Sequence, residues 1–411
     1  MRLLITNARV VSPAGEGALR GPAMNSLEIL PSADVFIEGE QIVSIDPAPS
    51  GLREELDNSI DILDAMGRVL LPAFVDAHTH ACWAGSRIDE WTRRLAGESY
   101  LDILASGGGI LSTVRAVREA TEEDLTRHLI DRLWRRLDLG TTAIEVKSGY
   151  GLTLEAELKM LRAIRAVGAQ WPGSIVPSAL LGHALEPGDA AFVNRTINET
   201  LPEISKAFPG ITIDAYCERG AWSVEDTVRL FEAAKSLGHP FRVHADQFNS
   251  LGMTREAVRL GALSVDHLEA STPADVDLLA ASETFATILP MCGMHAGRAG
   301  LSGPSFADGR RLIDAGAKLA LATNDNPGSA PCLSMQDAMR AAVRWCGLSC
   351  AEALVAGTAN AAALLGLRRS GRIRPGNHAD LVLLRHTDER EMLYELGGDS
   401  VEMTVCRGRM L

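Results

Sequence analysis

Three features are missing from this sequence, and each absence excludes a class of protein. Its apolar runs stop well short of the roughly 18 residues that a membrane-spanning helix needs, so we expect no such helix. No lysine- and arginine-rich stripe accompanies the formal net charge of −13, which argues against nucleic acid and membrane surfaces as partners. The first residues alternate like a strand and lack the apolar core of a signal peptide.

Cysteine is scarce and unpatterned. The seven cysteines are scattered and show no C-x-x-C spacing. An odd number without pairing motifs argues against a disulfide framework and for reduced thiols, which predicts a cytoplasmic protein. With 411 residues, 46% of them hydrophobic, the chain has the length of two to three domains or of one barrel with an accessory unit.

Short apolar strands alternate with long helical patterns through the middle of the chain, which is typical of a parallel α/β sheet. Eight strand candidates occur there: AFVDAHTH, TTAIEVKS, SIVPSALLGH, ITIDAYCE, FRVHADQ, ALSVDHLE, TFATILP and KLALATND. Eight is the number that a closed (β/α)8 TIM barrel requires. A doubly wound open sheet is the alternative, but polar residues end nearly all eight strands, which favours a barrel that gathers those ends at one mouth.

Two β-rich segments flank this region. We expect residues 1–64 and 366–411 to pair into one small composite β-sandwich, because neither segment alone can bury a face, and residues 65–365 to form the barrel. Ser349 with Glu352 three residues later predicts a capping box at the start of the helix that follows the last barrel strand.

The residues at the predicted strand ends point to metal chemistry. An apolar run from Leu71 to Val75 predicts a buried strand leading into His78 and His80, which then leave it on one face. His244, His267 and Asp325 end the fifth, sixth and eighth strands. The candidate metal ligands at these strand ends are His78, His80, His244 and Asp325. The candidate proton carriers are His267 and Asp325. Three imidazoles and a carboxylate suit one zinc or iron(II) ion, which activates water towards a carbon–nitrogen bond.

These motifs resemble the amidohydrolase superfamily and, within it, the imidazolonepropionase family of histidine degradation. The resemblance covers nearly the whole chain and rests on AFVDAHTH, AGSR, GGGI, KSGYGL, HADQ, DHLE, NPGS and PGNHADLVLL. It implies a single divalent metal on His78, His80 and His244, hydrolytic opening of the ring of 4-imidazolone-5-propanoate to N-formimidoyl-glutamate, and a homodimer. It also implies substrate contacts at four residues: Arg87, Tyr100, Tyr150 and His183. The planar fork of an arginine suits the propionate carboxylate.

Three departures from the family pattern fall around the reacting ring. Where the family pattern resembles TDxNPGS, this chain has Asn324 followed by Asp325. Alignment favours Asn324 as the ligand and chemistry favours Asp325, and the two face opposite ways on a strand. We expect Asp325 to serve; if Asn324 coordinates, His267 becomes the leading proton carrier. Gln247, in HADQ, can orient a ring or water but cannot act as a base.

The third departure is the loop LPMCGMHAGR after the seventh strand, which brings Cys292, His295 and Arg298 towards the presumed ring. We expect Cys292 and His295 to contact substrate, which favours as an alternative a thioxo-, hydantoin-type or N-methyl-imidazolone propionate; loop drift without function is the other interpretation. A nucleobase-type deaminase on the same barrel is the enzyme rival. A metal-free structural relative is the non-enzyme rival, against which His78, His80 and His244 argue.

Overall fold

A computed structural model describes residues 2–51, 60–98, 102–103, 106–296 and 306–411 of the chain. Within these ranges the strands are β1 Arg2–Pro13, β2 Leu27–Glu38, β3 Gln41–Pro47, β4 Asp61–Asp64, β5 Val69–Pro72, β6 Phe74–Asp76, β7 Thr141–Lys147, β8 Ser174–Gly182, β9 Thr212–Cys217, β10 Phe241–Ala245, β11 Ser264–His267, β12 Phe285–Ile288, β13 Leu319–Leu321, β14 Leu381–Leu384, β15 Val401–Cys406 and β16 Arg409–Met410. The longer helices are Ile88–Leu95, Ile110–Glu119, Glu122–Asp138, Leu154–Gly168, Leu201–Ala207, Val224–Ser236, Met253–Leu260, Pro273–Ala280, Pro290–Ala296, Gly309–Ala315, Met335–Trp345 and Cys350–Val355. Single helical turns occupy Gly21–Asn25, Phe192–Arg195, Thr196–Thr200, Ala356–Asn360, Ala361–Leu364 and Glu391–Tyr394.

The eight strands β6 to β13 form a parallel sheet in chain order, which curls into a nearly closed barrel and confirms the predicted fold class. Each contains part of one of the eight strand candidates. The two ends of the sheet meet beside the site: the backbone N–H of Asn324 donates to the carbonyl of His78 (3.1 Å), and that of His80 donates to the carbonyl of Asp325 (2.9 Å). The residues that follow β6 and β13 are therefore fixed against one another.

The terminal segments build a second, mixed sheet in the order β16-β15-β14-β5-β1-β2-β3, with β4 also pairing with β1. The two faces of β14 pack into two different cores. Leu381 and Leu383 pack into a core made by the terminal segments, whereas Val382 and Leu384 pack into the large core shared with the barrel. The terminal sheet thus has its own core and also covers part of the barrel. The domain boundaries at 65 and 365 stay a prediction.

The apolar run Leu71–Val75 is divided between both sheets, unlike the single strand that its pattern predicts. Leu71 belongs to β5 in the terminal sheet, and Val75 belongs to β6 in the barrel. The change occurs at Ala73, whose N–H bonds the carbonyl of Asp380 in the terminal unit, while the next N–H bonds the carbonyl of Gly140 below the barrel strand β7. A continuous apolar run cannot reveal this division, because all its side chains are buried on either side of it.

The helices agree with the sequence where their caps are strong. The capping box of Ser349 and Glu352 is present at the start of the helix Cys350–Val355, as predicted. In the parts of the chain that the structure describes, none of the helices is both long and apolar enough to span a membrane.

The terminal core predicts a clear difference between two leucines. Leu381 is fully buried in that core, whereas Leu396 is 68% exposed. Leu381→Ala should lower the free energy of unfolding by about 2–5 kcal/mol, since it leaves a cavity, whereas Leu396→Ala should change it by less than about 0.5 kcal/mol. Urea unfolding followed by circular dichroism measures both; equal midpoints would contradict the assignment of this core.

Candidate active site

Three histidines from distant parts of the chain converge at the C-terminal mouth of the barrel. His78 and His80 follow β6, and His244 lies near the end of β10. Their donor nitrogens lie within 4.8 Å of one another, and all three side chains are buried. The structure therefore brings together three of the four residues predicted as metal ligands.

Buried carboxylates orient two of these rings. The Nδ1 atom of His78 lies 2.8 Å from Asp266, and that of His244 lies 3.0 Å from Asp214. A carboxylate accepts a hydrogen bond only, so each Nδ1 carries the proton and each Nε2 presents a lone pair to the cluster. The Nε2 of His78 and the Nδ1 of His80 are buried and have no hydrogen-bond partner in the described parts of the chain.

All three imidazoles are held neutral. Burial lowers the pKa of His78, His80 and His244 well below the usual 6.5, and the nearby Lys147 adds to this effect on His78 and His244. Neutral imidazole is the form that binds a metal. The Nε2 atoms of His80 and His244 lie 3.2 Å apart, near the separation of about 3.3 Å that two nitrogens have around a tetrahedral zinc ion.

A network of buried charges lies beneath the cluster. Its members are Asp76, Arg136, Glu145, Lys147, Asp214, Arg242, Asp266 and Asp325, none of them more than 1% exposed. Five carboxylates against three cationic groups leave an excess of two formal negative charges. Burial raises the pKa of Glu145 and of Asp325, even though Lys147 and Arg136 lie beside them. A divalent ion among neutral imidazoles would balance this excess, so the residues present fit such an ion.

Asp325 is not brought to the histidine cluster. Its carboxylate lies 2.6 Å from Arg136, which also binds Asp76 at 2.7 Å, and it accepts a hydrogen bond from the backbone of Cys332. It therefore serves an ion pair on the helix side of the barrel wall. This differs from the expectation that Asp325 acts as ligand and base.

Asn324 is the alternative that the sequence left open. It adopts a left-handed backbone conformation, with φ 57°, and its buried side-chain oxygen finds no hydrogen-bond partner within the described ranges. The backbone turn between β13 and the NPGS motif places the side chains of the neighbouring residues 324 and 325 in different surroundings. The backbone N–H of Asn324 bonds the carbonyl of His78, and an amide oxygen can act as a weak metal ligand, so Asn324 fits the alignment better than Asp325 does.

Tyr150 and His183 lie beside the metal-ligand candidates. Their ring centroids are 4.9 Å apart, and each also approaches His80, at 6.0 and 4.9 Å respectively. His183 donates from Nδ1 to the carbonyl of Gly149 at 2.9 Å, which leaves Nε2 as an acceptor. Burial lowers the pKa of His183 to about 4, so it is neutral at pH 7.

Arg87 joins three of the motifs at the mouth. Its Nε and Nη2 atoms donate to Glu90 at 3.0 and 2.8 Å, and Glu90 also accepts from the backbone of Gly109 in GGGI. A Cβ at Gly328, in NPGS, would lie 2.0 Å from Nη1, so only glycine allows this guanidinium to sit there. Glu90 uses one edge of the fork, and no acceptor among the described residues bonds Nη1, so that side can bind an anion.

A second group of side chains lies next to the three histidines. His267 is 5.7 Å from His244 between ring centroids, and its Nδ1 lies 3.3 Å from Glu269. Gln247 donates from Nε2 to the sulfur of Cys292 at 3.2 Å. Burial raises the pKa of Cys292 to about 12, although hydrogen bonds from Ser329, Gln247 and Asn324 oppose the rise.

One predicted substrate contact, His295, is not part of these groups. His295 is half-buried against the helix Ile88–Leu95, where it contacts Arg94 at 2.9 Å and stacks beside Trp91. Tyr100 and Arg298 lie outside the described residues. Among the described polar groups of the LPMCGMHAGR loop, Cys292 lies beside His267 and Glu269, and His295 faces the helix Ile88–Leu95.

The match to a family model covers residues 69–411 and is to the amidohydrolase family. This chain is an imidazolonepropionase-like amidohydrolase. It is 41% identical over 408 residues to an imidazolonepropionase of Deinococcus radiodurans, covering 99% of each chain. It is 42% identical over 409 residues to one of Rubrobacter xylanophilus, covering 98% of this chain and 96% of that protein. A solved 5-methylcytosine deaminase from Klebsiella pneumoniae matches the fold with a TM-score of 0.73, at 17% identity, over 100% of this chain and 98% of that one.

Sequence reasoning missed the carboxylates that support the site of this amidohydrolase. Asp214 and Asp266 lie inside apolar strand candidates and orient two of the ligands, and Glu90 holds Arg87. A signal for the first two was available. A charge within an otherwise apolar strand is costly to bury and must have a partner, so each such residue marks a buried ion pair or a site.

The carboxylates behind the ligands should control metal affinity. Asp214→Asn and Asp266→Asn should each weaken binding of zinc by about 10- to 100-fold, since the imidazole they orient loses basicity and its fixed tautomer. The exposed Asp277→Asn provides a control with the same loss of charge. Competition with a chromophoric chelator measures the affinity, and unchanged affinity in both variants would contradict the assignment of these ligands.

Asn324 and Asp325 can be separated by exchange. Asn324→Asp should tighten metal binding by about tenfold or more, because a carboxylate replaces an amide near the ion. Asp325→Asn should keep one ion per chain but lower the free energy of unfolding by about 3–5 kcal/mol, since Arg136 loses a buried partner. Loss of the ion in Asp325→Asn, with no effect of Asn324→Asp, would return Asp325 to the ligand set.

Proposed function

We propose that this amidohydrolase opens the five-membered ring of 4-imidazolone-5-propanoate by hydrolysis and releases N-formimidoyl-glutamate. The observation that supports it most is the joint arrangement of three neutral imidazoles and a guanidinium with a free edge at one barrel mouth. The imidazolonepropionase relatives, about 40% identical along the whole chain, support the same substrate.

Binding of the substrate would begin with its carboxylate. The Nη1 side of Arg87, held in place by Glu90 and by the turn at Gly328, can donate to the propionate oxygens. Tyr150 and His183 lie near His80 and can then contact the ring. In this arrangement the carboxylate is anchored at the rim while the ring carbonyl points towards the three imidazoles.

His78, His80 and His244 would hold the divalent ion, and Asn324 would lie beside it. When bound, zinc or iron(II) lowers the pKa of water and polarises a carbonyl, which is the chemistry that hydrolysis of a cyclic amide requires. An oxygen–carbon bond forms at the ring carbonyl, and the bond from that carbon to the adjacent ring nitrogen breaks.

Proton transfer falls to His267 in this proposal. Neither Asn324 nor Gln247 can carry a proton, and Asp325 is paired with Arg136. His267 lies next to His244 and has Glu269 at its Nδ1, so its Nε2 can take the proton of water and deliver it to the departing nitrogen. Glu269 would stabilise the imidazolium that forms in between.

A ring with a different substituent is the second candidate substrate. Two amides, Gln247 and Asn324, converge on the sulfur of Cys292 near the presumed ring position. This group is the reason to test, as alternatives to the parent compound, a thioxo-, hydantoin-type or N-methyl-imidazolone propionate. The free state of all seven cysteines supports a cytoplasmic enzyme, and the family resemblance supports a homodimer.

The reaction can be followed by the loss of ultraviolet absorbance as the ring opens. The enzyme loaded with zinc or iron(II) should turn over imidazolone propionate or one of the three analogues, and removal of the metal by a chelator should abolish turnover. Turnover of none of these compounds at full metal loading would contradict the proposal, and release of ammonia from nucleobases would favour a deaminase instead.

Arg87 tests the role of the propionate. Arg87→Lys keeps the charge but loses the fork, so KM should rise by about 10- to 100-fold with a smaller change in kcat, because a charge-assisted pair contributes about 1.5–3 kcal/mol. Arg127→Lys, with its side chain 64% exposed, is the matched control and should behave as the parent enzyme. An equal KM for the Arg87→Lys variant would exclude Arg87 as the anchor.

A further inference from the structure

His267, Glu269 and Cys292 form a group of donors separate from the three-histidine cluster. One donor atom from each residue lies within 4.8 Å of the other two, and all three residues are buried. The backbone brings the first two together through successive left-handed residues, with φ 90° at His267 and 72° at Leu268. Such a turn is unfavourable for side chains larger than glycine and persists only where surrounding contacts impose it.

The hydrogen bonding within this group is incomplete. Glu269 is 8% exposed, and its buried Oε2 atom has no hydrogen-bond partner among the residues that the structure describes. Its other oxygen makes one long hydrogen bond, 3.3 Å, with the His267 Nδ1. A buried carboxylate oxygen without a donor is costly, and its cost is removed when a cation binds there.

The spacing of the group also fits a bound ion. Nitrogen and oxygen ligands at about 2.0–2.2 Å from a tetrahedral ion lie roughly 3.3 Å apart, which is the separation of His267 and Glu269. The sulfur of Cys292 completes three protein ligands and leaves a fourth position open. A nitrogen, an oxygen and a sulfur together select a borderline-soft divalent ion such as zinc or cobalt(II), rather than magnesium or calcium.

We propose that His267, Glu269 and Cys292 form a second divalent-cation site, distinct from the site of His78, His80 and His244. The thiol of Cys292 releases its proton to solvent as the sulfur–metal bond forms, and Gln247, which donates to that sulfur, stabilises the thiolate. The second ion engages the imidazole of His267. Resting on the proposed function, in which His267 moves the proton, occupancy of this site inhibits ring opening.

Spectroscopy tests the site without reference to activity. Protein carrying one equivalent of zinc is titrated with cobalt(II). A thiolate-to-cobalt charge-transfer band should appear in the near ultraviolet and saturate at one further equivalent, and X-ray absorption at the cobalt edge should show one sulfur neighbour. Absence of the band at several equivalents, or the absence of a sulfur neighbour, would overturn the proposal.

Two matched variants identify the sulfur. Cys292→Ala should lose the band and keep the first equivalent of zinc, whereas Cys406→Ala, which removes another buried thiol in the terminal sheet, should keep the band. Glu269→Gln should weaken cobalt binding at the second site by about tenfold or more and retain the band at high cobalt. Should Cys292→Ala fail to fold, Cys292→Ser serves in its place; a band that persists without this sulfur excludes the site.

The inhibitory part has its own readout. Excess zinc should reduce ring opening by the parent enzyme, and the fractional loss at the same zinc concentration should be much smaller in Cys292→Ala. If the cobalt band appears but no ring opening is found with any substrate, the second site stands and the proposed function fails. Equal fractional inhibition of the parent and the variant would reject the inhibitory role.

Discussion

The site depends on keeping three imidazoles neutral and fixed inside the barrel. Burial disfavours their charged forms, and carboxylates on β9 and β11 hold two of the rings through Nδ1, so that the opposite nitrogens present lone pairs to one point. These carboxylates are themselves buried and are tolerated because Lys147 and Arg242 lie against them. The two cationic groups therefore stabilise the carboxylates, and the carboxylates in turn orient the imidazoles.

Hydrogen bonds at the junction between the first and last barrel strands fix the relative positions of the residues around the site. Asp76 at the end of β6 accepts hydrogen bonds from both the backbone and the hydroxyl of Thr323, beyond the end of β13, and from Arg136. The same junction carries His78, His80 and Asn324. Residues that are far apart in the chain are thus joined by a short network of hydrogen bonds, and this network fixes the ligand candidates relative to one another.

Much of the fold could be read from the sequence because its signals are local. Alternation of strand and helix patterns gave eight strand positions, and polar residues after each strand marked the mouth; His78, His80 and His244 meet there as expected. Asp325 could not be placed in this way. Its direction depends on the left-handed turn at Asn324 and on Arg136, which reaches it from a helix 189 residues away. No pattern in the ATNDNPGS segment indicates this turn or the contact with Arg136.

The passage of the chain from one sheet to the other at Ala73 links the barrel to the terminal sheet, which has a core of its own on one face and shares the barrel core on the other. The strand that precedes the first two histidines is one residue away from β5, which is held in the middle of the terminal sheet by β1 and β14. If the terminal sheet opens, the segment bearing His78 and His80 loses its anchor. We therefore expect metal retention to be thermodynamically coupled to the folding of the terminal sheet. The terminal sheet would then stabilise the cation site and could not be removed without weakening it.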